Sequence, residues 1–233
     1  MAYEILKENT PQIRGVLFDM DGLVLDTEKL YCRFWREAAL SLGFPMTHEQ
    51  ALGMRSLNSA AARKKLENYF GPTADYTEIR SMRIELMDAY VAGHGIDLKP
   101  GIRELLDYLH ENNIACAITS SSPLDRIRSH LAFHGLDSGF DALCSGHDVP
   151  HGKPAPDIYL HGAAALGLPP ESCLALEDSP PGIESACRAG CHPVMIPDLA
   201  QPDRETLSRC FAKADSLTDI IDILKKFSCC QNP

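Results

Sequence analysis

Four carboxylates, a run of hydroxyls and one lysine follow one another along the chain in an order that suggests a single site. In "LFDMDGLVLDT" (17–27), Asp19 and Asp21 close an apolar run with one residue between them. "ITSSS" brings Thr119, Ser120 and Ser121, "HGKPAPDIY" brings Lys153, and "CLALED" ends in Glu177 and Asp178. Two carboxylates about 4 Å apart repel by roughly 4 kcal/mol at an effective dielectric of 20, so four acids in one place call for a cation. Hard oxygen donors suit Mg²⁺, which binds a few carboxylates and keeps waters or a substrate phosphate in its remaining positions. Beside such a cation, Lys153 and the Ser120 hydroxyl are suited to phosphate oxygens, one carboxylate to nucleophilic attack and another to general acid/base work. Each acid taken singly also fits a helix or turn cap, a common fate for Asp after a strand. It is the order and chemistry of the whole set that favour a site.

That expectation requires elements that deliver these residues to one edge. "GVLFDMD" (15–21) reads as a buried strand. "TEKLYCRFWREAALSLG" spaces Leu30, Phe34, Ala38 and Leu42 at helical intervals and stops at Gly43. Further helical segments are expected near 47–53, 57–70 and 75–93. From Pro100 the rhythm alternates: a helix carrying Ile102, Leu105, Leu106 and Leu109, a strand at 114–120, then a helix with Ser122 as N-cap, Pro123 at its first position and Asp125 completing a capping-box-like pattern. Strands at 140–145, 173–178 and 193–196 and helices at 156–166, 180–190 and 217–227 follow, with 1–13 as a lead-in. Alternating strands and helices predict an α/β, doubly wound, Rossmann-like parallel sheet. Its core spans 1–27 and 94–233, and an all-α cap (28–93) is inserted after the first strand. In such sheets ligands bind beyond the carboxyl ends of the strands, where the acids, hydroxyls and lysine belong.

Composition narrows the function classes. The chain has 233 residues, 22 basic and 32 acidic, for a net charge of −10, which argues against a nucleic-acid binder. No apolar run approaches the roughly 18 residues of a membrane span, and no signal-peptide pattern opens the sequence, so a cytoplasmic protein without membrane association is expected. Nine cysteines occur without a Cys-x-x-Cys pair. Several sit in apolar segments, as Cys116 and Cys173 do, and are expected to be buried reduced thiols. Cys229 and Cys230 are placed in a frayed, reactive tail. The i, i+4 pairs His130/His134 and Cys187/Cys191 lack further ligands, and His147 and His151 read as solvated loop residues.

"DMDGLVLDT", "ITSSS", "GKPAPDIY" and "LEDSPPGIESACRAG" together resemble, in order, the four motifs of the haloacid dehalogenase-like phosphohydrolases, within the β-phosphoglucomutase and hexose-phosphate phosphatase subgroup. The resemblance spans nearly the whole chain. It implies Asp19 as the nucleophile that forms an aspartyl-phosphate. Asp21 would be the general acid/base, its backbone carbonyl also reaching the metal. Ser120 would hold the transferring phosphoryl (Thr119 if the register slips by one), and Lys153 would neutralise charge. Asp178 would be a direct Mg²⁺ ligand, and Glu177 a ligand directly or through water. Asp21 separates this chain from the dehalogenases, which generally lack that second acid.

The resemblance also implies a small phosphorylated metabolite as partner, and a monomer or weak homodimer. In similar caps a substrate-contacting Arg sits in the loop where "LGMRS" (52–56) places Arg55; Thr27, Tyr31 and Ser121 are further substrate-binding candidates. Mutases of this kind typically carry His where this chain has Tyr31, and Lys and Asn where it has Pro123 and Leu124. The expected activity is therefore hydrolysis of a sugar phosphate, with a phosphosugar mutase as the alternative. A non-catalytic phosphometabolite sensor would require a missing catalytic residue, and none is missing.

Overall fold

The structure, a computed structural model, describes residues 3–7, 11–55, 57, 59–199 and 201–227. The chain divides into two compact units, Asp26–Asp97 and the segments flanking it, Met1–Leu25 with Leu98–Pro233.

The larger unit is built on a seven-stranded sheet. In chain order its elements are β1 (Tyr3–Ile5), β2 (Gly15–Phe18), then α5 (Ile102–Glu111), β3 (Ala115–Ser120), α6 (Leu124–Phe133), β4 (Ala142–Ser145), α7 (Asp157–Ala165), β5 (Cys173–Glu177), α8 (Pro180–Ala189), β6 (His192–Met195), α9 (Arg204–Arg209), β7 (Ala212–Ala214) and α10 (Leu217–Phe227). The strand order is β1-β7-β6-β5-β2-β3-β4. All pairs are parallel except β1 with β7. The chain leaves β2 towards β3 and β4, then returns to its other side for β5, β6 and β7. That reversal makes β2 the switch point of the sheet, where ligand crevices form. Phe18 lies opposite both Ile118 and Leu176, so the carboxyl ends of the three central strands finish level.

Continuous apolar runs suit this position. Every residue of β2 and β5 is buried, as expected of parallel strands covered on both faces. On α5, Ile102, Leu105, Leu106 and Leu109 are all buried, each stabilising the fold by about 1.5–3 kcal/mol. Helix α8 begins at the N-cap Ser179, with Pro180 and Pro181 in its first turn, and ends at Gly190 in the left-handed conformation.

The smaller unit is all helical: α1 (Thr27–Ser41), α2 (His48–Leu52), α3 (Ser59–Phe70) and α4 (Tyr76–His94). Trp35, Ala38, Leu66 and Ile79 are among its buried residues, and Thr47 opens α2 with a full capping box. No helix among the described residues is long and apolar enough to cross a membrane.

Several local expectations change. The lead-in at 1–13 contains β1, which pairs antiparallel with β7, so the sheet is mostly rather than wholly parallel. Neither three-residue strand, nor the six-residue α9, is long enough to show a periodic signal; pairing across the sheet edge defines the strands. The first central strand stops at Phe18, not Asp21, because the chain turns at once: Leu25 N–H bonds Met20 O, and Gly22 has a φ of +90°. The N-cap of α6 is Pro123 without a side-chain bond, since the Ser122 hydroxyl is engaged elsewhere. The helical unit begins at 26 rather than 28 and ends at 97 rather than 93, its two ends tied by the Asp26 N–H to Asp97 O bond of 2.8 Å.

Cys32, Cys116, Cys144, Cys173, Cys191 and Cys210 are buried and reduced, and Cys187 is half-buried; Cys229 and Cys230 lie outside the described residues. Burial pushes the Cys116 thiol up to about 12 and those of Cys144, Cys173 and Cys210 up to about 11. Thiolate is the reactive form, so these cysteines should resist Ellman's reagent in native protein at pH 8 and react once it is denatured. Peptide mass spectrometry would check this, and rapid native labelling of Cys116 would contradict it.

Candidate active site

Backbone pairing carries β2 one residue beyond its last regular position: the Asp19 N–H donates to Leu176 O at 3.0 Å. Asp19 is thereby fixed beside Glu177, the last residue of β5. Between them lies Lys153, whose Nζ donates to Asp19 Oδ1 at 2.5 Å and to Glu177 Oε1 at 2.6 Å. All three side chains are nearly or wholly buried.

Glu177 is held from several elements. Its Oε1 also accepts from the Tyr159 hydroxyl of α7 at 2.5 Å, and its Oε2 from the Ser179 hydroxyl at 3.0 Å. A Cβ on Gly182, in the first turn of α8, would stand only 1.9–2.1 Å from the Glu177 carboxylate, so glycine is what lets that group lie against the helix start. Three of the roughly four lone-pair sites of the carboxylate are thus occupied.

On the other side of β2, Ser122 donates its hydroxyl to Asp21 Oδ2 at 3.1 Å, and its N–H to Ser120 Oγ at 3.1 Å. Ser120, Ser122 and Asp21 form one linked group. Thr119 is committed to structure, its hydroxyl bonding Phe18 O at 3.1 Å, which leaves Ser120 as the hydroxyl linked to the acids. Ser121 is exposed.

Charge explains the chemistry available. Burial, partly offset by Lys153 and reinforced by Glu177 and Asp21, pushes the Asp19 carboxyl up to about 7. Burial works against the Lys153 ammonium, but Asp19 and Glu177 hold its pKa well above the usual lysine value. The Lys153 ammonium bridges Asp19 and Glu177. Asp19, Glu177 and Asp178 each offer an oxygen within 4.8 Å of the others, an all-carboxylate donor set that fits a hard divalent cation. Among the described residues no other group of three or more His, Cys, Asp or Glu side chains has this spacing, and the pairs His130/His134 and Cys187/Cys191 gain no third ligand. His147 and His151 are exposed, His151 pairing with Asp157.

The remaining candidates lie in the helical unit. Thr27 is fully buried at the start of α1. Tyr31 and Arg55 line a pocket of about 190 Å³ with Glu28, Tyr76, Arg80 and Arg83. The Arg55 Nε donates to Leu52 O at 3.0 Å and lies 3.9 Å from Glu28. Arg83 lies 4.9 Å from the Tyr31 ring centre and 5.3 Å from that of Trp35.

Four contributors were not legible as site residues. Ser122 reads as a helix cap, and Ser179, Gly182 and Tyr159 are not singled out within the stretches that contain them. A Ser-Pro-Pro-Gly run directly after two strand-end acids is the signal that could have found Ser179 and Gly182.

A family model described as haloacid dehalogenase-like hydrolase matches residues 16–196. The chain is 35% identical over 207 residues to a probable pseudouridine-5′-phosphatase of Drosophila melanogaster, covering 85% of this chain and 86% of that protein. It is 30% identical over 219 residues to hexitol phosphatase B of Escherichia coli, covering 91% and 96%. CbbY of Rhodobacter sphaeroides, solved with xylulose-(1,5)bisphosphate, superposes with a TM-score of 0.69 at 27% identity, over 89% of this chain and 96% of that one.

A cation held by Asp19, Glu177 and Asp178 would compete with the proton on the Asp19 carboxyl, whose pKa is pushed up to about 7. Mg²⁺ affinity should therefore fall as the pH drops through 7, by up to about tenfold per unit below it, and level off above. Calorimetry in buffers of different ionisation enthalpy would show the released proton. An affinity unchanged between pH 8 and pH 5.5 would refute the linkage.

Proposed function

The chain belongs to the haloacid dehalogenase-like hydrolase family, and from that premise we propose that it is a Mg²⁺-dependent phosphatase of a small phosphomonoester, a sugar phosphate or a related polyol or nucleoside phosphate, working through an aspartyl-phosphate. The observation that carries this reading is the Lys153 ammonium shared by Asp19 and Glu177, with Asp21 held separately by Ser122. One carboxylate is anchored for attack while the other is free of the ammonium and suited to moving protons.

Bound Mg²⁺ would be held by Asp19, Asp178 and, directly or through water, Glu177, and would supply charge neutralisation for carboxylates and phosphate. Asp19 attacks phosphorus as the bond to the leaving oxygen breaks, and Asp21 gives that oxygen its proton. Asp21 then takes a proton from the water that attacks the aspartyl-phosphate, releasing inorganic phosphate and restoring Asp19. Lys153 and the Ser120 hydroxyl hold the phosphoryl oxygens, so the chain's contribution is positioning and charge stabilisation.

Hydrolysis is preferred to phosphosugar mutase activity because Tyr31, Pro123 and Leu124 stand where mutases carry the His, Lys and Asn that hold a second phosphate. The relatives named phosphatases support the same side, and their substrates support the range given above. We assign the choice of leaving group to the helical unit, 26–97, through Arg55 and Tyr31.

Pure protein with Mg²⁺ should release phosphate from p-nitrophenyl phosphate and, faster, from one or a few members of a panel of sugar, polyol and nucleoside monophosphates. Asp19→Asn should lower kcat by at least about a thousandfold, the scale expected on losing a nucleophile. Failure of the wild type on the whole panel would end the enzyme reading. Conversion of β-glucose 1-phosphate to glucose 6-phosphate with a bisphosphate primer, without stoichiometric free phosphate, would reverse the preference for hydrolysis.

Arg55→Ala should raise KM for the preferred substrate by about tenfold, the scale of one charged hydrogen bond, and raise it less for p-nitrophenyl phosphate. Equal changes for both would remove Arg55 from substrate selection.

A further inference from the structure

Tyr159 is fully buried, yet it ends in a polar group where a phenylalanine would fill the same space. Its hydroxyl donates to Glu177 Oε1 at 2.5 Å, the same oxygen that Lys153 Nζ reaches at 2.6 Å. The Lys153 ammonium also lies 5.1 Å from the centre of the Tyr159 ring. One side chain therefore contacts both members of the buried pair, Glu177 through its hydroxyl and Lys153 through its ring. Lys153 itself belongs to the loop between β4 and α7, and its long side chain has many rotamers to lose. Tyr159 is carried by α7, which packs tightly on the sheet: a Cβ on Gly162 of that helix would stand 2.5 Å from Thr119 Cγ2.

We propose that Tyr159 is a positioning residue, locking Glu177 and Lys153 in the arrangement that brings the ammonium to Asp19. The proposal rests on the phosphatase reading for its effect on rate, but its structural part stands without it. Glu177 then also anchors Lys153, the Tyr159 and Ser179 hydroxyls and the Gly182 gap together giving its carboxylate one orientation. Without the phenol, the buried Oε1 loses a donor, and the carboxylate turns to recover one. Lys153 turns with it and leaves Asp19.

Tyr159→Phe keeps the ring and removes only the hydroxyl. Lysines would be modified with a limiting amine-reactive acetyl ester and each site quantified by peptide mass spectrometry, alongside kcat, KM and the melting temperature. Lys153 should be protected in the wild type and react at least about fivefold faster in Tyr159→Phe, the other lysines being unchanged. With the best substrate of the phosphatase panel, kcat should fall about tenfold and KM change less than about twofold. Gly182→Ala, which displaces Glu177 while leaving Tyr159 intact, should expose Lys153 in the same way. Unchanged Lys153 protection in a folded Tyr159→Phe protein would overturn the proposal and leave Tyr159 a core residue. So would a uniform rise in reactivity of all lysines, which would report loosened packing. A wild type inactive on every phosphoester would defeat the functional reading, while the labelling comparison would still decide the role of Tyr159.

Discussion

The α/β unit is organised around an ammonium ion buried between two carboxylates. Removing one charge from water is costly, and a buried pair compensates only where geometry and further hydrogen bonds are good. Here Lys153 has Asp19 and Glu177 within 2.6 Å, and Glu177 has two more donors of its own. The requirement reaches outwards into the backbone. β2 must lie beside β5, α7 must sit close enough for Tyr159 to reach Glu177, and α8 must begin with a residue that has no side chain at 182. An apolar sheet centre supplies the stability that lets such a costly group persist.

The balance shows in the Asp19 carboxyl, pushed up to about 7 by burial and by Glu177 and Asp21 despite the Lys153 ammonium. The all-oxygen donor set of Asp19, Glu177 and Asp178 suits a hard cation. On the proposed reading, a chain of net charge −10 would meet an anionic substrate through that cation and Lys153, the local sign being set there and not by the whole surface.

Much of this centre was legible because chemistry and periodicity reinforced each other. Asp19, Glu177 and Asp178 follow wholly apolar strand runs and Lys153 precedes a helix, and the alternation of elements indicated where their ends must meet. The elements that escaped notice are those whose local pattern is too short to stand alone. β1 and β7 each have three residues and are defined by each other. Ser122 was misread for a different reason: a serine before Pro123 looks like a cap, and only the folded loop offers it Asp21 instead. Tyr159 was hidden because a helix face buries tyrosine and phenylalanine alike. Its hydroxyl acquires meaning only through a partner on another element.

The strand order carries one further consequence, for assembly. Lys153 and Asp19 are 134 residues apart in the chain, and the bond from Thr119 to Phe18 spans 101. Closing such separations costs the loop entropy of everything between them. The aspartate and its lysine come from segments that precede and follow the helical unit in sequence, so the ion pair exists only when both segments are folded into one sheet.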